Sequence, residues 1–339
     1  MGCEWDHKVF NVDDSGFNDL AIEIFHFQYQ NNPVYKSYVD SLKVNIHGIE
    51  SLIQIPFLPI GVFKSHSVQT TAFIPETTFE SSGTTQTITA LHYIKDLKLY
   101  EKSIINTFEM FYGSITNWCF IGLLPSYIER KNSSLVYMTD QFIKLSGHSH
   151  SGFYLNEYYK LYNVLQELEH KKQKTLLIGV TFALMDFAEK YKMTLNHTTI
   201  METGGMKGRE KPGTTGEITR PEVHEVLKNA FGITEIHSEF GMTELLSQAY
   251  SKQDGIFNCH PWMKILIRDD DDPLMVQGVQ GARTLEHLSG VINVIDLANI
   301  YSCSFIATDD IGKLYTDGSF EVLGRMDESD LRGCSLMVV

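Results

Sequence analysis

From Trp118 onward the chain alternates short apolar runs with segments whose apolar residues recur at helical spacing, and this alternation restricts the fold more than any other feature. Trp118 to Leu124, Thr175 to Val180 and Thr198 to Met201 are runs of strand length, and Glu235 to His237 is a shorter one. Between them, Tyr154 to Glu169, the stretch running on to Lys192, and Glu222 to Phe231 carry the helical pattern. Short buried strands alternating with helices predict an α/β fold with a largely parallel sheet. In such sheets ligands sit beyond the carboxyl ends of the strands. The part before Trp118 reads as mostly helical, over Phe17 to Tyr38 and Ile94 to Phe111, with a strand over Ile74 to Phe79. Beyond Cys259 the pieces shorten to strand-like segments at Lys264 to Ile267, Gly290 to Asp296, Tyr301 to Ala307 and Phe320 to Leu323. They predict a small antiparallel sheet or barrel appended to the α/β part.

Charge and composition exclude several classes of function. The formal net charge of −14 lacks the basic footprint that nonspecific nucleic-acid binding or docking on an anionic membrane requires. Five cysteines at irregular spacing point to reduced thiols in a cytoplasmic protein. Met1 to Asp6 is acidic rather than basic-then-apolar, so it does not read as a secretory signal, and Asp6 stands where a myristoylation motif wants Ser or Thr. The longest apolar run, Leu176 to Phe187, is too short to span a bilayer. Cys259-His260 and His148-Ser149-His150 lack a second ligand pair at zinc spacing, and Asp269 to Asp272 lacks the glycine and terminal glutamate of a calcium loop.

Two segments carry candidate chemistry. Ser81-Ser82-Gly83-Thr84-Thr85 follows a strand and is rich in hydroxyls and small residues. It reads either as a plain turn or as a loop whose N–H groups and hydroxyls surround phosphate oxygens. No Gly-Lys-Ser/Thr follows, so it is not a Walker A loop. In Glu239-Phe240-Gly241-Met242-Thr243-Glu244 the aromatic can stack on a base, and Gly241 permits close backbone approach. Thr243 and Glu244 can then reach a phosphate and its magnesium. The alternative for that pair is a helix start, with Thr243 as cap and Glu244 as a first-turn acid. Asp309 and Asp310 read either as ligands or as turn residues before Gly312.

Taken in order, Ser81 to Thr85, Gly204-Gly205, Phe240 to Glu244, Thr308-Asp309-Asp310 and Gly324-Arg325-Met326-Asp327 resemble the motif series of the adenylate-forming superfamily, which includes acyl-CoA synthetases and peptide-synthetase adenylation domains. Further stretches resemble the acyl-protein synthetase of the bacterial luciferase fatty-acid reductase complex more closely. These are Ile55 to Pro59 with Phe63-Lys64, Thr203 to Arg209, His237 to Tyr250, Pro261 to Met263, and Asp327 to Cys334. The resemblance implies an adenylate-forming domain over 1–325, with α/β subdomains to about residue 258 and a small β subdomain over about 259–325. A hinge and short tail would follow at 326–339, in place of a C-terminal domain.

It also implies a reaction in which a carboxylic acid, in that branch a fatty acid, reacts with ATP and Mg²⁺ to give an acyl adenylate, and the acyl group passes to a thiol. Ser81, Ser82, Gly83, Thr84 and Thr85 would hold the β- and γ-phosphates. Gly204 and Gly205 would line the adenine and acyl sites. Phe240, with Gly241 beside it, would pack on the adenine. Thr243 would contact the α-phosphate and Glu244 the magnesium. Asp310, in preference to Asp309, would bind the ribose, with Arg325 nearby. Cys334 would carry the acyl group, its thiolate favoured by Arg332. The implied partners are a reductase, an acyltransferase or an acyl carrier protein. Two departures stand out: Thr85-Gln86-Thr87 replaces the glycine and later lysine of the phosphate loop, and no lysine follows Lys313. They leave open an acyl- or aryl-CoA or carrier-protein ligase, and a catalytically weak module that binds an acyl adenylate or docks a partner.

Overall fold

A computed structural model describes residues 4–81, 89–125, 130–204, 218–278 and 287–326. Contacts divide the chain into two units, Ile74–His260 and a second made of Met1–Phe73 with Pro261–Val339.

The N-terminal segment contributes α1 (Glu4–Phe10), α2 (Phe17–Asn31), α3 (Pro33–Ser41) and the short strand β1 (Leu58–Pro59). The helical pattern expected over Phe17 to Tyr38 breaks where Asn32 turns extended and Pro33 opens a new helix. Proline lacks the N–H that would continue the first helix, while the Asn32 side chain accepts the Tyr35 N–H and caps the second. Phe17, Leu20, Ala21, Ile24, Phe25 and Gln28 form the buried stripe of α2 at helical spacing. Gln28 and Asn32 are buried polar side chains with distant partners. The Gln28 amide donates to the Asn299 and Ile300 carbonyls at 3.1 and 2.9 Å, and Asn32 donates to the Ser302 carbonyl at 3.0 Å.

In the unit Ile74–His260, β2 (Thr77–Glu80) and β3 (Leu91–Ile94) form an antiparallel pair. The helix expected from Ile94 starts later, as α4 (Leu97–Tyr112), because Asp96 caps it by accepting the Lys98 N–H. The main sheet then follows through β4 (Cys119–Leu123), α5 (Ser134–Ser146), β5 (Gly152–Phe153), α6 (Tyr158–His170), β6 (Thr175–Gly179), α7 (Thr181–Lys190), β7 (Thr198–Glu202), α8 (Arg220–Phe231) and β8 (His237–Phe240). Strands β5-β4-β6-β7-β8 are parallel neighbours in that order. Then β9 (Ala249–Ser251) and β10 (Ile256–Asn258) add antiparallel strands. Every residue of β4 and β6 is buried, as strands covered on both faces require. One face packs Ile121, Leu177 and Ile200 with Leu161, Leu184, Phe187 and Leu227 of α6, α7 and α8. On the other, Phe120 meets Phe108 of α4 and Phe142 of α5, each with ring centroids 5.2 Å from its own.

The second unit adds β11 (Met263–Arg268), β12 (Val276–Gln277), β13 (His287–Asp296), β14 (Phe305–Tyr315) and β15 (Phe320–Arg325). They run antiparallel in the order β12-β11-β13-β14-β15, and β1 lies parallel beside the start of β14. The α/β fold with an antiparallel β portion therefore stands as expected. Among the described residues no helix is long and apolar enough to cross a membrane.

Gly312 sits at a register shift between β14 and β15. A Cβ there would overlap the Glu321 carbonyl oxygen and the Ile292 side chain. Neither the backbone nor the packed core can yield without strain, so Gly312→Ala is expected to destabilise the protein by about 2 kcal/mol or more. Thermal or urea unfolding checks this, with Gly318→Ala, where φ is +85° and an added Cβ meets nothing, as the control separating steric overlap from backbone conformation.

Candidate functional site

Three successive parallel strands deliver their loops to one edge of the sheet. β6 ends at Gly179 and leads directly into Thr181 at the start of α7. β7 ends at Glu202, followed by Thr203 and Gly204; β8 ends at Phe240, followed by Gly241 to Leu246. The first two loops are joined: the Thr203 N–H donates to the Gly179 carbonyl at 3.1 Å, and Thr181 Oγ1 donates to the Gly204 carbonyl at 3.2 Å. Gly204 has φ +69°, in the left-handed region that glycine enters without steric cost.

Glu202 organises this edge. It is 3% exposed, yet it gathers Thr181 Oγ1 at 3.0 Å, the Gly204 N–H at 2.9 Å and the Arg220 Nε at 3.2 Å, with His224 Nε2 3.8 Å away. Burial opposes its ionisation, but His224, the Arg220 charge, Ser238 and the Gly204 N–H outweigh that and hold the carboxyl down to about 2. On the neighbouring strand, half-buried Glu239 has the opposite fate. Burial first, and repulsion from Glu202 second, push its carboxyl up to about 8. The two carboxyls thus stand as one anion and one neutral acid near neutral pH.

The segment after β8 contains no helix, so the reading of Thr243 as a helix cap fails. The loop is held instead from β3, where buried His92 places Nδ1 2.7 Å from the Thr243 carbonyl oxygen. Ser103 of α4 meets Ser247 at 3.0 Å. Glu244 is 7% exposed. The strand expected at Glu235 to His237 lies further on and includes Phe240, because its pairing is set by β7 and β9 rather than by its own short apolar pattern. Phe240 is buried and packs on Phe257, ring centroids 5.9 Å apart. The Glu239 carboxyl group fills the space a Cβ on Gly241 would need.

In the unit that holds residues 261–326, Asp309 and Asp310 lie in the middle of β14, which excludes the turn reading. Strand alternation exposes Asp309 and buries Asp310. Asp310 and Arg325 are cross-strand partners, and Arg325 Nε donates to Asp310 Oδ1 at 2.9 Å. The Asp310 N–H is taken by Thr308 Oγ1 at 3.1 Å, and Thr308 Oγ1 in turn donates to the Ile292 carbonyl at 2.7 Å. Arg325 itself is 57% exposed.

Ser81 exchanges hydrogen bonds with Ala90, its N–H to the Ala90 carbonyl at 3.1 Å and its hydroxyl accepting the Ala90 N–H at 2.9 Å. It is the last described residue before the rest of the Ser/Thr segment. Ser82, Gly83, Thr84, Thr85, Gly205, Asp327 and Cys334 lie outside the described residues. Cys119 and Cys303 are buried core thiols, raised by burial to about 11 and about 12. Sequence reasoning passed over His92, Glu202, Arg220, His224 and Glu239. One local signal existed, a carboxylate closing an otherwise apolar strand immediately before Thr203-Gly204-Gly205.

No protein-family profile and no curated protein sequence matches the chain. Solved structures do. A 2-hydroxyisobutyryl-CoA ligase in complex with 2-HIB-AMP and CoA is 13% identical, with a TM-score of 0.61 over 93% of this chain and 68% of that one. ATP-bound MatB from Rhodopseudomonas palustris is 13% identical, with a TM-score of 0.53 over 85% of this chain and 52% of that one. The chain therefore spans about half to two thirds of the length of these proteins. The fold is that of the N-terminal domain of adenylate-forming enzymes.

The Glu239 carboxyl rises from 4.5 to about 8 on folding. The folded protein keeps its proton where the unfolded chain has lost it, so stability falls as pH climbs from 4.5 to about 8. Glu239→Gln removes this penalty. The variant is expected to melt higher than the wild type at pH 8 and no higher at pH 4.5 in a thermal scan across pH; a pH-independent difference would remove the neutral-acid assignment.

Proposed function

We propose that the chain activates a carboxylic acid with ATP and Mg²⁺ as the acyl adenylate and passes the acyl group to a thiol. The observation that carries this reading is the arrangement of Thr181, Gly204 and the Gly241–Glu244 loop on the carboxyl edge of β6, β7 and β8. That edge is where open α/β sheets bind ligands.

In the reaction, a carboxylate oxygen attacks the α-phosphorus of ATP and pyrophosphate leaves. A thiolate then attacks the acyl carbon and AMP leaves. Little of this needs covalent help from side chains; positioning and charge stabilisation supply most of it. Thr243 is assigned to the α-phosphate, its backbone fixed by His92. Glu244 offers a hard carboxylate oxygen, the donor that magnesium prefers. The ion, when bound, would offset phosphate charge. Gly204, with no side chain at φ +69°, and Gly205 are assigned to the adenine and acyl side, and Phe240 to the adenine. Asp310 is assigned to the ribose hydroxyls, its carboxylate oriented by Arg325. Ser81 to Thr85 are assigned to the β- and γ-phosphates, and Cys334 is the proposed acyl carrier. The acid is proposed to be a fatty acid, in keeping with the acyl-protein synthetase resemblance.

Labelled fatty acid with Mg-ATP tests the acceptor. Hydroxylamine-sensitive label on the wild-type chain, absent from Cys334→Ala, is the expected result. Label that survives the substitution removes Cys334 from the reading. Adenylate without protein label moves the acceptor to CoA or a carrier protein. Independently, Thr243→Ala is expected to slow adenylate formation about 10²-fold, the scale for losing one donor to a developing oxyanion; an unchanged single-turnover rate removes that role.

A further inference from the structure

Strands β8 and β9 turn one face toward α4, and polar groups on that face have hydrogen-bonding capacity that nothing fills. Glu239 and Tyr250 are cross-strand partners there, and Gln248 stands two residues from Tyr250 on the same side. The Glu239 carboxyl and the Gln248 side chain both border the space beside Gly241. From α4, the rings of Phe111 and Tyr112 lie with centroids 5.6 and 5.4 Å from that of Tyr250. All of these residues belong to the unit Ile74–His260.

Two observations point to a ligand group here. First, the Tyr250 hydroxyl and Gln248 Oε1 are buried without a hydrogen-bond partner, in residues only 1% and 4% exposed. Buried polar atoms are rarely left in that state, because the water they gave up is not replaced. Second, the Glu239 carboxyl takes no hydrogen bond and no cation from the described residues, and its side chain is only half-buried. The charge acting on it is the Glu202 anion of β7. The other titratable groups facing it are the phenols of Tyr100 on α4 and Tyr250 on β9. His237, two residues back on β8, is kept neutral by burial and by the Lys252 charge, and its Nδ1 lies 3.0 Å from the Tyr112 hydroxyl. A negative field that holds a proton on Glu239 also favours another cation in that proton's place.

We propose that this face of β8 and β9 binds a primary ammonium group, held by Glu239, Gln248 and Tyr250. An ammonium has three N–H donors and no acceptor, and it meets a carboxylate, an amide oxygen and a phenol oxygen here. The ring faces of Tyr250, Tyr112 and Phe111 add attraction for a cation. A neutral hydroxyl would offer one donor and gain nothing from the field. On binding, the Glu239 proton leaves for solvent and the ammonium takes its place, so one cation is exchanged for another. A free amine and an amino-bearing carboxylic acid present the same group. The site stands on the geometry of these strands and not on the adenylation reading.

The test is calorimetric titration of the full chain with butylamine and with γ-aminobutyrate, across pH and in buffers of different ionisation enthalpy, which counts protons released. The wild type is expected to bind at least one of the two and to release about one proton per ligand near pH 6. Because the proton competes with the ammonium, affinity is expected to rise about tenfold per pH unit and to level off once Glu239 has lost its proton. Glu239→Gln is expected to weaken binding tenfold or more and to abolish both the proton release and the pH dependence. Tyr250→Phe deletes only the hydroxyl; it is expected to weaken binding severalfold and to keep the proton release. Both substitutions preserve side-chain shape, and circular dichroism checks the fold. Tighter binding of γ-aminobutyrate identifies an amino-bearing acid as the ligand; tighter binding of butylamine identifies a free amine. No binding by either probe overturns the proposal and assigns the unmet atoms to buried water. So does binding that Glu239→Gln leaves unchanged or that releases no proton. The readout is binding without ATP, so a failure here leaves the adenylation reading standing, and the converse holds.

Discussion

A carboxylate that is almost wholly buried stays ionised only if its surroundings replace the water it gave up, and Glu202 at the end of β7 meets that condition. Its partners come from three places in the chain: Thr181 at the start of α7, Gly204 in the loop beyond β7, and Arg220 with His224 in the first turns of α8. Removing any one leaves part of a buried charge uncompensated, which is far more costly than losing a surface pair. The loop positions at the carboxyl edge are thereby locked to one another. Gly204 is held by the same carboxylate that fixes Arg220.

Next to it, Glu239 shows how one anion dictates the state of another. Two carboxyls on adjacent strands cannot both ionise cheaply, and Glu202 holds the stronger set of donors. The neutral Glu239 then folds over Gly241, the residue that opens the Thr243–Glu244 loop. Fold, charge and loop geometry are linked at this point, since the parallel register that pairs Glu202 with Ser238 brings the two carboxyls together.

What the sequence made legible followed physical range. The long buried strands β4, β6 and β7 and the helices between them were visible because apolar periodicity is a local property. The turn reading of Asp309 and Asp310 failed because both lie within β14, whose alternation buries Asp310 and exposes Asp309. Position along the chain misled where tertiary pairing decides: β8 runs to Phe240 because β7 and β9 flank it, and residues 1–73 join residues 261–339 through buried amides such as Gln28. Apart from the carboxylate that closes β7, the Glu202 cluster left no mark in the sequence for the same reason. Its members look ordinary one at a time, and only the fold brings them within hydrogen-bond distance.

The proposed chemistry departs from the general pattern in its phosphate loop, where Thr85-Gln86-Thr87 supplies no glycine or lysine. Pyrophosphate exchange into ATP measures acid activation directly and does not depend on which thiol receives the acyl group. With Mg²⁺ and a panel of fatty and aryl acids, the account predicts exchange that requires a particular acid and is lost in Asp310→Ala. A folded wild-type chain that shows no exchange with any acid would contradict it, and would favour a module that binds an acyl adenylate or a partner without catalysing its formation.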